Sequence, residues 1–463
     1  MRAQGIGPDP HRRAALSVAR AYLRGGTHVL PNVLGAQWLP RRALERLALR
    51  RFTAVVRHAA RSVPYYREAL AAVRNEAFRE RADLARVPML EKSVLRDRQR
   101  ELLADDALPA AKLATRSSSG SSGVPVRVVF DPLLDLPRRM QELRLLTAHG
   151  FQLWHRQLIF DHPGHLTDAP FLIQRLGLWR RKPYPWQLDI EAGVALIEAE
   201  QPEVLHGVLS SLRLLALAVQ ARGGLSYRPR LCVSKGELLD VATRALIEGA
   251  LGAPLVDYYA AEEVGIIAWQ SPTDDGYLID EDMVLLEVVD AAGRPLPAGQ
   301  TGEIVVTNLY QRSMPIIRYR TGDLGVISPH PSRSGRGLRL LSKLFGRRVD
   351  CIVTATGEVH HPFALLGVVE DRAELSAYRI VQRSLDTIVV HLAFRPVIDA
   401  AVQRTVQTEI AAAMRSRLGQ DMQVRFEGME PTQLSVGDKF ALVVGLPDAA
   451  LPDLLRRKLK VRL

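Results

Sequence analysis

The chain has 463 residues, of which 47% are hydrophobic and 24% are charged, a balance that excludes a disordered, collagen-like or fibrous protein. Its 62 lysines and arginines exceed its 50 acidic residues, and the net charge of +12 favours polyanionic ligands such as nucleic acid or phosphorylated small molecules. Two cysteines exclude a disulfide framework, and no apolar stretch reaches the roughly 18 residues of a membrane span. We therefore expect a cytoplasmic protein of about three structural units, without a signal peptide.

The basic residues are spread along the chain, and the densest cluster lies at residues 456–462. General solubility and a nucleic-acid footprint both explain such a cluster. Because no signature of a nucleic-acid-binding module accompanies it, we expect a small-molecule partner and neither a nucleic-acid nor a membrane partner.

Hydrophobic periodicity predicts the first elements in chain order. A helix covers residues 41–61, with arginines on its outer face, and Pro64 ends it. A short strand at 126–130 then precedes a helix at 133–150. These elements frame the start of a large α/β unit.

The middle of the chain changes its pattern once. Between 151 and 260, short apolar runs alternate with helical patterns such as 204–220, which indicates βα units and a mainly parallel sheet. From 278 to 327, runs such as 284–289 and 303–307 are separated by glycine and proline turns, which is typical of antiparallel structure. The predicted class is therefore α/β, with mainly parallel sheets plus a β subdomain.

A third pattern begins after about residue 346. Residues 378–382 and 387–394 predict a hairpin, and a strand follows at 422–426. The helix between them carries an apolar face formed by Val402, Val406, Ile410, Ala413 and Met414. We expect a small separate α+β domain here.

Residues 117–123 form a serine- and glycine-rich run ahead of the strand at 126–130. Backbone N–H and hydroxyl donors in such a loop can surround phosphate oxygens, and glycine permits the close approach that this requires. No Lys-Ser/Thr pair follows the second glycine, so the run is not a Walker A loop. Taken alone, it fits a phosphate-binding loop or a flexible linker.

Two further segments carry candidate ligand groups. In residues 257–265, a carboxylate at a strand end can bind Mg²⁺ and an aromatic ring before it can stack on a base, although a strand end with two solvated acids also fits. In residues 314–324, Thr-Gly-Asp forms a turn that presents Asp323, whose two acceptor oxygens suit a vicinal diol such as ribose. A plain β-turn is the alternative, but the length of the second segment makes it the strongest single signal.

In this order, the segments resemble the adenylate-forming superfamily, and in particular its phenylacetate–coenzyme A ligase-like branch. Residues 319–324 are identical to the family's Tyr-Arg-Thr-Gly-Asp-Leu motif, and the preceding Pro-Ile-Ile-Arg favours this branch. The weaker matches are residues 118–125 with the phosphate loop, 259–263 with the aromatic-Gly-x-Thr/Ser-Glu motif, 346–350 with the hinge, and Lys439 with the C-terminal catalytic lysine. The resemblance spans about residues 40–445.

The chain departs from the family pattern at four positions. Val124 replaces a lysine after the phosphate loop, and Val349 replaces the first acid of the hinge. Ala260 occupies the glycine position of the aromatic motif, and Glu262 brings an extra negative charge to its Thr/Ser position. Shifting the motif by one residue would instead pair Tyr258 with Glu262, but we prefer Tyr259 and Glu263 because this register leaves the small Ala260 in the glycine position.

The resemblance implies a large ATP- and acid-binding domain at 1–346 and a small mobile domain at 347–463, which carries the catalytic lysine and rotates about the hinge. It implies that ATP activates a small, aromatic or other organic, carboxylic acid to an acyl-adenylate with release of pyrophosphate, and that coenzyme A then displaces AMP. The implied site residues are Ser118, Ser119, Gly120, Ser121, Ser122 and Gly123 on the phosphates, Glu263 on Mg²⁺ as a catalytic group, Tyr259 on adenine, Asp323 on ribose, Arg347 on the nucleotide and Lys439 on the α-phosphate and carboxylate.

Several alternatives stay open at this point. Within enzymes, the alternative is an amide synthetase or a carrier-protein-loading ligase, and a homodimer is compatible with either. A nucleic-acid-binding protein and a noncatalytic nucleotide-binding relative are the other readings. No role follows for the aromatic and histidine residues of the expected acid-pocket region, which are Trp154, His162, His165, Trp179, Trp186 and His206.

Overall fold

The structure is a computed structural model that describes residues 34–105, 113–117, 127–130, 135–161, 172–185, 190–347, 352–360, 365, 368–369, 372, 374–429 and 443–446. Its α-helices are α1 (Arg41–Ser62), α2 (Pro64–Ala69), α3 (Lys92–Asp97), α4 (Asp135–Ala148), α5 (Leu172–Arg175), α6 (Ile190–Glu200), α7 (Leu209–Ala221), α8 (Val241–Leu251) and α9 (Ala400–Leu418), with short 3₁₀ turns at Arg81–Arg86 and Gln99–Leu102. In the part of the chain that is described, no helix is both long and apolar enough to cross a membrane.

The strands number nineteen among the described residues. They are β1 (Ala114–Ser117), β2 (Arg127–Phe130), β3 (Arg156–Asp161), β4 (Arg180–Pro185), β5 (Val204–Val208), β6 (Leu231–Lys235), β7 (Leu255–Ala261), β8 (Gly265–Gln270), β9 (Tyr277–Ile279), β10 (Val284–Val289), β11 (Thr301–Asn308), β12 (Tyr319–Ile327), β13 (Leu340–Arg347), β14 (Ile352–Val353), β15 (Val359–His360), β16 (Leu375–Ser384), β17 (Thr387–Phe394), β18 (Gln423–Gly428) and β19 (Val443–Val444).

Helix α1 forms where the sequence predicts it, because its apolar stripe is buried against the core. Most of its arginines are exposed, but Arg41 pairs with the buried Glu281 and Arg51 donates to the carbonyl of Asp282. Phe52, Val55 and Val56 are fully buried. Helix α1 ends at Ser62, just before Pro64, as predicted, and Pro64 also begins α2. Proline is favoured at the first position of a helix because it has no N–H to leave unsatisfied there.

One sheet of eleven strands organises the large part of the molecule, in the order β10-β11-β12-β13-β9-β8-β7-β6-β5-β3-β4. Strands β4, β3, β5, β6 and β7 pair in parallel, and β7 to β13 pair antiparallel. The predicted switch from parallel to antiparallel structure is confirmed. The helical prediction for 204–220 is wrong over its first five residues, which form β5, because a short apolar run buried on both faces cannot be told from a helix by periodicity alone.

Each face of the parallel strands packs on different helices. On one face, α4 contributes Met140 and Leu143 to a cluster with Val204, Val233 and Val256. On the other face, α6, α7 and α8 cover the alternate residues of the same strands, which are Leu158, Phe160, Leu205, Cys232 and Leu255. This alternation follows from the twofold period of a strand, and it explains the near-continuous apolar runs of the parallel strands.

A buried ion network fixes α4 across the sheet. Arg144 donates to Asp280 Oδ1 at 2.6 Å and to both oxygens of Asp282 at 2.8 and 2.9 Å, and all three side chains are fully buried. Gln141 donates to Asp280 Oδ2 at 3.0 Å. Because buried charges are tolerated only when they are paired, this network holds α4 in one position on the sheet.

The C-terminal region forms a second, four-stranded sheet in the order β18-β17-β16-β19. The predicted hairpin is confirmed as β16 and β17, and α9 begins at the N-cap Asp399. Val402 was expected on the buried face of this helix, but it is 38% exposed. The buried stripe begins one turn later and consists of Val406, Ile410, Ala411, Met414 and Leu418. The predicted α/β class is confirmed, and the division at residues 346 and 347 stays a prediction.

Candidate nucleotide and acid site

The parallel strands end along one edge of the sheet, and the predicted motifs lie at that edge. Strand β7 ends at Ala261, and Glu263 lies two residues further on. Strand β6 ends at Lys235, and Gly236 follows with a positive φ of 87°. In open α/β sheets, ligands bind outside the carboxyl ends of the strands, so this edge is the expected ligand site.

Two hydrogen bonds join segments that are far apart in sequence. Tyr259 donates its hydroxyl to Asp323 Oδ2 at 2.6 Å. Tyr319 donates its hydroxyl to Glu263 Oε1 at 3.0 Å. The two segments thus exchange tyrosine–carboxylate hydrogen bonds, and Tyr259, Glu263 and Asp323 are brought together as the sequence predicts.

The turn that carries Asp323 is rigidly built. Gly322 has a φ of 78°, a left-handed conformation that only glycine adopts without strain. Thr321 donates to the carbonyl of Ile304 at 2.8 Å and accepts from the Asp323 N–H at 3.1 Å. Just before the turn, the buried Arg318 donates to both oxygens of Glu287 at 2.9 and 3.0 Å. The carboxylate of Asp323 is therefore held by the backbone and by residues on neighbouring strands.

Electrostatics keep Tyr259 a donor. Burial, together with the negative charge of Asp323, holds the pKa of Tyr259 well above its usual value, so its hydroxyl stays protonated. Asp323 itself is only half-buried. The two acceptor oxygens of a carboxylate suit a pair of neighbouring hydroxyl groups.

The geometry supports the Tyr259 and Glu263 register of the aromatic motif. Tyr258 points to the opposite face of β7, where its hydroxyl lies 3.1 Å from His206 Nε2. Glu262 is only half-buried, whereas Glu263 is 6% exposed and bonded to Tyr319.

The site fits a magnesium ion that is shared with a ligand. Mg²⁺ is usually held by one or two carboxylates together with substrate phosphates and water. Glu263 provides one carboxylate, which Tyr319 holds in place. Among the residues described, no group of three or more His, Cys, Asp and Glu side chains could hold a metal ion by itself.

The remaining predicted site residues lie outside the described parts of the chain. They are Ser118, Ser119, Gly120, Ser121, Ser122, Gly123 and Lys439, together with the side chain of Arg347. The strands on either side of the serine-rich run are described, and Ser117 of β1 pairs with Arg127 of β2. Arg347, the last residue of β13, pairs with Asp323 of β12. The backbone of the predicted hinge therefore begins beside Asp323, the residue predicted to bind ribose.

A polar cluster that the sequence analysis missed lies under α4. Glu142 accepts from Arg181 Nη2 at 3.0 and 3.1 Å and from Gln157 Nε2 at 3.2 Å, and its Oε1 lies 3.5 Å from His206 Nδ1. Burial acts to raise the pKa of Glu142, but His206 and the charge of Arg139 outweigh burial and lower that pKa. The one signal for this cluster in the sequence is His206, a histidine inside the apolar run of β5.

The end of β6 belongs to the same edge. Lys235 forms an ion pair with Asp161, the last residue of β3. Glu237 accepts from the Ser210 N–H and hydroxyl, both at 2.9 Å, which ties the end of β6 to the start of α7. Gly236 and Glu237 therefore lie at the ligand edge of the sheet.

Known proteins resemble this chain in sequence and in fold. A phenylacetate-coenzyme A ligase from Aromatoleum evansii is 32% identical over 324 residues, which cover 67% of this chain and 72% of the relative. A phenylacetate-coenzyme A ligase from Pseudomonas putida is 26% identical over 415 residues, which cover 85% of this chain and 92% of the relative. The crystal structure of 2-hydroxyisobutyryl-CoA ligase in the postadenylation state superposes with a TM-score of 0.74 at 20% identity, over 92% of this chain and 93% of that one. No family model matches the chain.

These comparisons confirm the predicted fold class and the predicted enzyme class, an AMP-forming carboxylate–coenzyme A ligase. The chain belongs to the phenylacetate–coenzyme A ligase family of adenylate-forming enzymes.

Proposed function

We propose that the chain activates a small carboxylic acid with ATP, releases pyrophosphate, and passes the acyl group from the acyl-adenylate to coenzyme A. The observation that carries this proposal is the exchange of hydrogen bonds between Tyr259 and Asp323 and between Tyr319 and Glu263. These bonds bring Asp323, Tyr259 and Glu263 together at the ligand edge of the sheet, where we assign them as a diol acceptor, an aromatic ring and a metal-binding carboxylate. The names of the curated relatives support coenzyme A as the acceptor.

Each described group has a role that its position suits. Asp323 accepts hydrogen bonds from the ribose hydroxyls, and the ring of Tyr259, held by its bond to Asp323, lies against adenine. Glu263 would hold Mg²⁺ with help from Tyr319, and the bound ion would supply positive charge to the phosphate oxygens. In the same proposal, residues 118–123 surround the β- and γ-phosphates.

The main chemical obstacle is the approach of one anion to another. The carboxylate of the acid must attack the α-phosphate of a polyanion, so the transition state needs positive charge beside the phosphorus atom. We assign this charge to Lys439 in the small domain, with residues 1–346 and 347–463 as the two units. Rotation about the hinge would bring the lysine in for adenylation and remove it for thioester formation.

The finer assignments are the aromatic character of the acid, a cytoplasmic location and a homodimer. The cytoplasmic assignment is supported by the low cysteine count, since two cysteines fit a reducing compartment. Gel filtration with light scattering measures the oligomeric state, and a mass of about 51 kDa for the native particle would reject the homodimer.

The decisive experiment is ATP–pyrophosphate exchange across a panel of carboxylic acids, followed by an acceptor screen. We expect acid-dependent exchange that requires Mg²⁺, and thioester formation when coenzyme A is added. Lys439→Ala should abolish most of the exchange, whereas Lys458→Ala, a control in the basic cluster at residues 456–462, should not. Exchange with every acid at background level would refute the proposal, and products formed only with amines or a carrier protein would replace coenzyme A as the acceptor.

A further inference from the structure

The ligand edge of the sheet is acidic where the proposed nucleotide binds. Glu262 and Glu263 lie between β7 and β8, and Asp323 belongs to the same site. Lys235, at the end of β6, is already paired with Asp161. Because like charges repel one another, a polyphosphate bound beside these carboxylates needs a further cation close to them.

The two glutamates lie at the end of a tight hairpin. Ala261 of β7 pairs with Gly265 of β8, and the Val264 N–H donates to the carbonyl of Ala261 at 3.2 Å. Glu263 is 6% exposed, whereas Glu262 is half-buried. Of the two carboxylates, Glu262 is therefore the more accessible to solvent and to a ligand.

Arg138, in the first turn of α4, lies against this hairpin. A Cβ atom added to Gly265 would lie 3.1 Å from Arg138 Nε and 3.5 Å from its Cζ and Nη2, so glycine at this position leaves the space that the guanidinium occupies. The Cζ atom of Arg138 also lies 4.5 Å from the centroid of the Phe130 ring, a distance at which a cation and an aromatic ring attract each other. Contacts with two segments thus hold the guanidinium beside the hairpin that carries Glu262.

The surroundings of Arg138 include the α4 side of β7 and the end of β2. Helix α4 packs on the face that holds Tyr258 and Ile266. Burial, and after it nearby carboxylates that include Glu262, hold the pKa of Tyr258 well above its usual value, which indicates that Glu262 is close to that face. Phe130 is the last residue of β2, the strand that follows the predicted phosphate loop. Arg138 therefore contacts both the acidic hairpin and a strand that borders this loop.

We propose that Arg138 balances the negative charge of Glu262, so that the polyphosphate of ATP can bind beside the hairpin. An arginine stays protonated at every physiological pH, so this balance is permanent. Arg138 acts through Glu262 and does not contact the reacting atoms, which makes it a positioning residue. The inference rests on the proposed activation of an acid by ATP, and it adds to that site a residue from a helix that none of the sequence motifs includes.

Nucleotide binding in the absence of an acid tests this role without catalysis. Isothermal titration calorimetry measures the dissociation constants of ATP with Mg²⁺ and of adenosine, which has the same base and ribose but no charge. Arg138→Gln should weaken the binding of ATP by about 10- to 100-fold, as expected for one unbalanced charge several ångströms away at the dielectric of a protein surface. It should leave the binding of adenosine unchanged. Arg138→Lys, which keeps the positive charge, should bind ATP nearly as tightly as the unchanged protein.

A double substitution separates charge balance from a structural role. The loss caused by Arg138→Gln should disappear when Glu262→Gln is added, and the doubly substituted protein should bind ATP within about threefold of the unchanged protein. The control is Arg180→Gln, which removes the same charge from an exposed position at the start of the edge strand β4. This variant should bind ATP as the unchanged protein does.

Four results would overturn the role of Arg138. They are unchanged ATP binding by Arg138→Gln, an equal loss for adenosine, a loss that persists in the doubly substituted protein, and an equal loss in Arg138→Lys or in Arg180→Gln. Failure of the unchanged protein to bind ATP would instead count against the proposed function itself.

Discussion

Asp257 makes the stability of the large sheet depend on pH. It lies in the middle of β7 and is 3% exposed. Burial raises the pKa of Asp257 to about 7, even though hydrogen bonds from Ser234 at 2.6 Å and Tyr277 at 2.9 Å act to lower it. The folded protein therefore binds a proton at this site at pH values where the unfolded chain has already released it.

The direction of the effect follows from linkage. A carboxyl group whose pKa is raised on folding contributes stability that is fully present below its unfolded pKa of 3.8 and is lost as the pH rises through about 7. Each pH unit within this window is worth about 1.4 kcal/mol. Between pH 5 and pH 7 the free energy of unfolding should therefore fall by up to about 2–3 kcal/mol because of this one group.

Urea unfolding of the protein and of Asp257→Asn at pH 5, 6, 7 and 8 measures this contribution. The difference between the two free energies of unfolding should shift in favour of the variant as the pH rises to about 7 and then level off. Asp274→Asn is the control, since hydrogen bonds from Ser332 and the Arg333 N–H outweigh burial and lower the pKa of Asp274, so its difference should stay flat above pH 5. Parallel pH profiles for the protein and Asp257→Asn would refute the reasoning.

Three further substitutions test the site and the fold. Lys439→Ala should lower the rate of adenylation by a factor of about 10²–10³, as loss of one transition-state charge partner would. Thioester formation from supplied acyl-adenylate should be affected much less. An equal loss in both steps rejects the assigned role. Asp323→Ala should mainly raise the KM for ATP in pyrophosphate exchange, and an unchanged KM contradicts ribose binding. Arg144→Met leaves Asp280 and Asp282 buried without their cation and should destabilise the protein by about 3–5 kcal/mol in urea unfolding; a loss below about 1 kcal/mol contradicts this estimate.

Much of this protein could be predicted from local pattern. The helix at 41–61 and the hairpin of β16 and β17 follow from periodicity, because each buries one face and the spacing of its apolar residues reports that face. The candidate ligands Glu263 and Asp323 follow from short motifs in which a turn or a strand end presents one carboxylate. Such features depend on residues that are close in sequence, so the sequence by itself was sufficient to predict where they lie along the chain.

Only the tertiary structure decided which residues meet. Tyr259 and Asp323 are 64 residues apart, and Tyr319 and Glu263 are 56 apart, so neither hydrogen bond has a local signal. The surroundings of His206 depend on Tyr258 on another strand and on the Glu142 carboxylate of α4. The order of the strands in the sheet sets these distances, because it places elements from separate parts of the chain side by side and buries their polar groups against one another.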